Sequence, residues 1–262
     1  MRKVFCLAVY KDFALAMQAI ESIQQHFGDS EIVVCLDGWS SDDFTAFCCE
    51  RQIHLTLGPR LKTADNAGRW IERLLSAAVA STTADVVVKL DPDTVFLKPF
   101  EVDNPIGIVG NLRTDGTAPY IQGGCQILHR QTVSLILISR LLHDSYYCLP
   151  QFSYRRYLPP YLVSGEAESD EPLAANDVIL SDVARRLNIP LTHWEECGSF
   201  TFQNQLLKAI DGLTVEELKS KFAVIHPCKN SCFLDLETSQ HLNLDLLAWC
   251  DGAAWEPDRQ HC

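Results

Sequence analysis

Two aspartates with a proline between them give the clearest chemical signal in the sequence. Asp91 and Asp93 flank Pro92, directly after an apolar run that includes three consecutive valines at 86–88. Because proline lacks the N–H that a sheet needs, we expect a strand to end here and both carboxylates to lie at its carboxyl end. Two carboxylates at such a short distance repel each other unless a cation offsets their charge. Among cations, Mg²⁺ and Mn²⁺ suit oxygen ligands best. The triplet therefore predicts a metal site, although an aspartate that only caps a turn is the alternative.

The segments around the triplet alternate between strand and helix patterns. Strands are predicted at residues 3–10, 31–37, 53–57, 107–110, 121–129 and 222–225, besides the one that ends at the triplet. Helices are predicted at residues 13–27, at 132–143, at 174–187 and in the segment that ends near residue 80. This alternation predicts an α/β fold with a mostly parallel central sheet and helices on both faces. In such sheets, ligands bind outside the carboxyl ends of the strands.

Three stretches of the chain resemble glycosyltransferases of the GT-A fold. They are KLDPDTVFL around the triplet, LDGWSSDD after the second strand, and NDVILSDVARRLNIPLTHW further on. The resemblance implies one Rossmann-like domain over residues 1–262, with a nucleotide-binding half at about 1–100, an acceptor-side half at about 101–230 and a C-terminal tail at 231–262. In that family, the D-x-D triplet holds a divalent ion that bridges the diphosphate of a sugar nucleotide. Asp91 and Asp93 would therefore carry Mn²⁺ or Mg²⁺.

The same resemblance implies contacts to the nucleotide base at the ends of the first two strands. Asp37 ends the second strand in an Asp-rich turn, and a carboxylate there could accept a hydrogen bond from a base N–H. Tyr10 ends the first strand and is the second base-contact candidate. Structural alternatives stay open for both: a plain Asx-turn for Asp37, and a half-buried strand-end tyrosine for Tyr10.

Further residues are implied near the diphosphate and the donor sugar. Lys62 and Arg69 fall where GT-A proteins place a basic residue and a helix start near the donor, and either would stabilise a diphosphate. A solvated surface role is equally open for each. Gly123 and Gly124 would lie beside the donor sugar, where missing side chains permit close approach.

Near the end of the last predicted strand, His226 is implied as the third metal ligand. Lys229, three residues on, would neutralise the leaving diphosphate. A zinc site is the competing interpretation, because cysteines lie close to the histidine in sequence. Its ligands would be His226, Cys228, Cys232 and either Cys250 or Cys262.

The catalytic residue implied by the resemblance is Asp177. Many inverting GT-A enzymes carry a Glu-Asp pair at the start of a helix, and its aspartate takes the proton of the acceptor hydroxyl as general base. This chain departs from the pattern, because Asn176 stands in place of the glutamate. An aspartate that only complements the helix dipole is the alternative for Asp177.

Tyrosine is concentrated in one stretch of the chain. Five of the seven tyrosines fall within residues 146–161, among several prolines, and the acidic segment 165–171 follows. Because aromatic faces pack against the C–H faces of sugars, residues 146–161 are predicted to bind the acceptor and residues 165–171 to form a solvated hinge. A hydrophobic arm used for dimer packing is the alternative, which leaves a homodimer open.

The composition limits the partners and the compartment. Lys and Arg number 22 against 34 Asp and Glu, and the resulting formal net charge of -12 would repel a nucleic-acid backbone. The 11 cysteines are odd in number, and Cys6, Cys35 and Cys125 fall inside predicted strands as small hydrophobic residues, which favours a reduced, cytoplasmic setting. Residues 4–10 are too short to span a bilayer and lack a cleavage site, so no signal peptide or transmembrane segment is expected.

Together these patterns predict a metal-dependent glycosyltransferase. It would move a sugar from a nucleoside diphosphate sugar to a hydroxyl acceptor, such as one on a glycan, with inversion if Asp177 is the base. A nucleotidyltransferase on a related fold also needs carboxylates and Mg²⁺, but no Gly-rich phosphate loop follows the first strand. A non-catalytic sugar-nucleotide-binding protein is the other alternative, and Asn176 is its best support.

Overall fold

The computed structural model describes residues 1–61, 66–102, 107–114, 118–144, 147, 175–200 and 203–228, with the backbone alone at 175–177 and 204. The strands are β1 (Lys3–Val9), β2 (Glu31–Asp37), β3 (His54–Gly58), β4 (Val86–Leu90), β5 (Val95–Phe96), β6 (Ile108–Arg113), β7 (Tyr120–His129), β8 (Leu191–His193), β9 (Cys197–Ser199) and β10 (Val224–His226). The α-helices are α1 (Phe13–His26), α2 (Asp42–Glu50), α3 (Ala67–Ser81), α4 (Arg130–Ser139), α5 (Ala175–Arg186), α6 (Gln203–Ile210) and α7 (Val215–Lys221).

Within the described part of the chain, seven strands form the central sheet, in the order β3-β2-β1-β4-β7-β6-β8. β1 pairs in parallel with β2 and β4, and β2 pairs in parallel with β3. β7 runs antiparallel to both of its neighbours, β4 and β6, while β8 is parallel to β6. The predicted mostly parallel sheet is therefore confirmed. The strand order reverses between β1 and β4, and such a switch point opens a crevice at the carboxyl ends of the strands.

Helices cover both faces of this sheet, as predicted. Alternate strand residues pack under α3, α4 and α5 on one face, and the intervening residues pack under α1 and α2 on the other. Cys6, Cys35 and Cys125 are buried and free, each inside a strand, which confirms their reading as small hydrophobic residues. Burial raises the pKa of all three thiols and keeps them protonated.

Local signals fix several helix ends. The Ser41 side chain accepts the Phe44 N–H at 3.5 Å at the start of α2, and Thr214 and Glu217 form a capping box at the start of α7. The helix predicted at 132–143 is interrupted, because Arg140 has a left-handed φ of 59° and ends α4 before a short 3₁₀ turn at Leu141–His143. None of the helices among the described residues is both long enough and apolar enough to cross a membrane.

A second, smaller sheet joins distant parts of the chain. Its order is β5-β10-β9, and it packs under α6 and α7. β10 runs antiparallel to β5, with Ile225 opposite Val95, and parallel to β9, with His226 opposite Ser199. The end of β10 therefore lies beside the beginning of β5, and β5 begins two residues after Asp93.

Candidate metal centre

The Asp-Pro-Asp triplet forms a tight turn between the two sheets. The Thr94 N–H donates to the Asp91 carbonyl at 3.2 Å, with Pro92 at the second position, where its fixed φ suits a turn. The turn is held against β7, because the Asp91 N–H and the Thr94 hydroxyl both donate to the Gly124 carbonyl, at 3.3 and 2.6 Å. The strand end predicted from the sequence therefore presents both aspartates at the carboxyl edge of the sheet.

His226 reaches this turn from the far end of the chain. Its Nε2 atom lies 3.6 Å from Asp91 Oδ2 and 3.3 Å from Asp93 Oδ1. Ligand atoms of the three residues all lie within 4.8 Å of one another. Both carboxylates keep some access to solvent, whereas the His226 side chain is only 8% exposed. The structure thus brings together the three residues predicted to bind a metal.

The His226 ring is held by Ser199, which the sequence did not single out, and by the space that Gly124 leaves for it. Ser199 Oγ lies 3.2 Å from His226 Nδ1, and a proton on Nδ1 donated to this hydroxyl would leave the Nε2 lone pair facing the carboxylates. Gly124 supplies the space for the ring, because a Cβ atom there would lie 2.1 Å from His226 Cγ. Gly124 therefore allows a close approach by the imidazole, whereas the sequence predicted the approach of a ligand. A contact with the donor sugar stays a prediction.

Substituting Gly124 tests this packing. We expect Gly124→Ala to push the His226 ring out of place, to lower the free energy of unfolding by ~1–3 kcal/mol and to weaken Mn²⁺ binding about tenfold or more. Gly28→Ala is the matched control, because nothing lies within 4 Å of a Cβ at that position. Urea unfolding and Mn²⁺ titration of both variants would check this. Equal metal affinity in the two variants would contradict the role given to Gly124.

The donor set of this cluster fits Mn²⁺ or Mg²⁺. Two carboxylates and one imidazole provide hard oxygen ligands with one nitrogen, and their partial exposure leaves room for ligand atoms from a bound molecule. The competing zinc site gains no support, because the buried Cys228 thiol donates to the Ile225 carbonyl at 3.7 Å. The other cysteines of that interpretation, at 232, 250 and 262, lie outside the described residues.

Tyr10 lies at the carboxyl end of β1 and carries a cation on its ring. The Arg60 guanidinium stacks on the ring at 3.6 Å from its centroid and donates to the Tyr10 hydroxyl. Lys11 lies 5.3 Å from the Tyr10 ring centroid and 5.1 Å from that of Trp39, which is 52% exposed. An exposed aromatic and cationic surface thus borders the switch point. Arg60 was not among the predicted site residues, because nothing in the local sequence predicts the stacking.

The Asp37 carboxylate accepts hydrogen bonds from other parts of the protein. It is buried, and its Oδ1 atom accepts the Leu61 N–H at 2.8 Å and an Arg73 N–H at 2.6 Å. Gly38 follows with a φ of 77°, and a Cβ there would lie 2.5 Å from the Arg60 Cβ. Asp37 therefore ties the end of β2 to the loop after β3, as in the structural alternative to a base contact. A contact of Asp37 with the base stays a prediction.

Arg73 is the residue on which this arrangement depends. We expect Arg73→Met to lower the free energy of unfolding by about 2–4 kcal/mol, because it removes a cation that lies 2.6 Å from the buried Asp37 carboxylate. Adding Asp37→Asn should recover part of the loss, since it removes the buried negative charge that Arg73 offsets. Arg69→Met on the exposed face of the same helix is the control and should change stability by less than ~0.5 kcal/mol. Equal effects of Arg73→Met and Arg69→Met in urea unfolding would contradict this account.

The other residues predicted for the site lie on several elements. Arg69 is exposed in the first turn of α3. Gly123 lies in β7, and its carbonyl accepts a hydrogen bond from buried Lys89 at 3.0 Å. Asp177 lies in the first turn of α5, which ends shortly before β8. Because β8 runs in the same direction as β4, a helix that precedes it begins at the carboxyl edge of the sheet, the edge of the metal centre. Lys62 and Lys229 lie outside the described residues.

One tyrosine of the stretch predicted to bind the acceptor, Tyr147, is described. It is buried, its hydroxyl donates to Asp182, and Arg186 donates to the same hydroxyl at 3.0 Å. Burial, followed by the bond to Asp182, raises the pKa of the Tyr147 phenol. Tyr147 therefore belongs to the core next to α5, contrary to the acceptor role predicted for the whole stretch. Residues 148–161 and the predicted hinge at 165–171 lie outside the described residues.

Neither a protein-family model nor a curated protein matches the chain. A fold of this class supports many activities, so the function has to follow from the chemistry of the site.

Proposed function

We propose that the protein is a metal-dependent glycosyltransferase that moves a sugar from a nucleoside diphosphate sugar to a hydroxyl acceptor. The observation that carries the proposal is the cluster of Asp91, Asp93 and His226 at the carboxyl end of β4. It borders the switch point between β1 and β4, where open α/β sheets bind their ligands. These three residues would hold a divalent ion, whose positive charge would stabilise negative charge developing on a leaving diphosphate.

Charge near the centre favours an anionic donor. The protein as a whole is acidic, with a formal net charge of -12. Lys11 and Arg60 nevertheless stand together beside the end of β1, and both pack on the Tyr10 ring. Guanidinium and ammonium groups in such a position attract phosphate oxygens, and an exposed Trp39 next to them offers a flat face to a nucleobase. These contacts support a nucleotide as the donor carrier.

The acceptor side of the proposed reaction depends on Asp177. Its carboxylate would take the proton of the acceptor hydroxyl as the oxygen attacks the anomeric carbon, so that the proton moves to the enzyme as the sugar–phosphate bond breaks. Asp177 stands in the first turn of α5, at the same edge of the sheet as the metal centre. Direct attack of this kind inverts the configuration of the anomeric carbon.

A panel of nucleoside diphosphate sugars tests the proposal. Calorimetric titration with Mn²⁺ should find at least one donor that binds, and EDTA should abolish the binding. Prolonged incubation of that donor should release free sugar slowly and only with metal. Binding without hydrolysis or transfer to any acceptor would favour a non-catalytic binding protein. Pyrophosphate release from a nucleoside triphosphate and a sugar phosphate would favour a nucleotidyltransferase, and failure of every donor to bind would overturn the proposal.

A further inference from the structure

Lys89 is a buried cation in the middle of the central sheet. Its exposure is 0%, in a strand whose other residues are valine and leucine. Its neighbours across the sheet are Cys6 on β1 and Gln126 on β7. Removing an ammonium group from water is costly, and an apolar side chain at this position would avoid that cost.

The contacts of Lys89 lead to the metal centre. Its Nζ atom lies 3.6 Å from Asp91 Oδ1 and donates to the Gly123 carbonyl at 3.0 Å. The Trp70 ring of α3 covers it, with its centroid 5.7 Å away. Gly123 precedes the glycine that makes room for the His226 ring. Lys89 thus touches one of the three clustered residues directly and holds the backbone beside another.

The charge of Lys89 opposes the binding of a free cation. The two carboxylates of the cluster attract a divalent ion, but the ammonium group offsets one of their two negative charges from within the protein. Because the ammonium is shielded from water, its repulsion of an ion held by Asp91 is screened weakly. A diphosphate adds negative charge and further oxygen ligands. The site with a bound diphosphate therefore attracts the ion more strongly than the free site does.

Building on the proposed function, we propose that Lys89 keeps the affinity of this centre for a free divalent ion low, so that the ion binds together with the nucleoside diphosphate. Lys89 is a positioning residue in this account, because it acts through Asp91 and through the charge that it places behind the cluster. Binding of the ion precedes any reaction, so it can be measured without turnover.

Mn²⁺ titration of the free protein tests the charge directly. Lys89→Met removes the ammonium and keeps a side chain of similar length, and we expect it to bind Mn²⁺ alone at least about tenfold more tightly than the wild type. Lys89→Arg keeps the charge and should stay as weak as the wild type. In the wild type, UDP or GDP should strengthen Mn²⁺ binding at least about tenfold, and this coupling should be smaller in Lys89→Met. Circular dichroism would establish that each variant is folded.

Unchanged or weaker Mn²⁺ binding by folded Lys89→Met would overturn the inference and leave the proposed function intact if UDP or GDP still binds with the metal. If Lys89→Met does not fold, the wild type decides, because equal Mn²⁺ affinity with and without every diphosphate would overturn the inference. Failure of every nucleoside diphosphate to bind would overturn the proposed function instead. In that case, tighter Mn²⁺ binding by Lys89→Met would still support the electrostatic role of Lys89, since that measurement needs no nucleotide.

Discussion

Replacing Asp93 with alanine should abolish metal-assisted binding of the donor while the protein stays folded. The Asp93 carboxylate lies 3.3 Å from His226 Nε2 and stands across the turn from Asp91, so its loss removes one of the two proposed oxygen ligands. Residues that only hydrogen-bond to a metal ligand contribute about 10–100-fold to metal affinity. Asp93 would be a ligand itself, so we expect Asp93→Ala to weaken Mn²⁺-dependent binding by at least ~100-fold.

The fold should tolerate this change. The Asp93 backbone carbonyl accepts the Cys228 N–H at 2.7 Å, and an alanine keeps that bond. Removing one carboxylate also relieves repulsion with its neighbour. Asp29→Ala is the matched control, because Asp29 is exposed just before β2, at the opposite edge of the sheet. Calorimetry with and without EDTA would check both variants. Unchanged, metal-dependent nucleotide affinity in Asp93→Ala would remove the metal centre from the proposal.

The second large effect is expected at Asp177. Asp177→Asn keeps the size and the hydrogen-bonding capacity of the side chain but removes the proton acceptor. A general base contributes ~10²–10⁴-fold, so kcat should fall by about that factor while donor affinity stays within about threefold. Steady-state kinetics with a donor found in the panel, together with donor titration, would measure the two quantities separately.

The alternative role of Asp177, in stabilising its helix, needs its own control. Asp43 stands in the first turn of α2 and is exposed, so Asp43→Asn removes a comparable helix-dipole interaction far from the proposed reaction. Similar losses of stability in both variants with no selective loss of kcat in Asp177→Asn would support the helix-dipole role. NMR of the first-formed product adds an independent test, because a retained anomeric configuration would reject Asp177 as the base of a single displacement.

Local patterns in the sequence were enough to predict the class of fold and the position of the two aspartates. The spacing of apolar residues in strands and helices indicates which segments face a core. A proline indicates where a strand must end. The triplet therefore lies at a strand end in the structure, as its residues indicated. The capping bonds at Ser41 and between Thr214 and Glu217 are equally local, since each joins residues three positions apart. The break at Arg140 was missed, because a non-glycine residue with a positive φ leaves no reliable sequence signal.

Only the tertiary structure decided what surrounds the aspartates. His226 was predicted only through the resemblance to GT-A glycosyltransferases. It meets Asp93 because β10 pairs antiparallel with β5, and neither short strand carries a pattern that specifies its partner. The fit of the imidazole over Gly124, the stacking of Arg60 on Tyr10 and the bond from Arg73 to Asp37 all join residues that are distant in the chain. Lys89 was visible as the one charged residue in an apolar strand, yet its contact with Asp91 depends on side-chain direction within a packed core. Sequence periodicity determines which residues are buried, whereas the pairing of distant strands determines which of them touch.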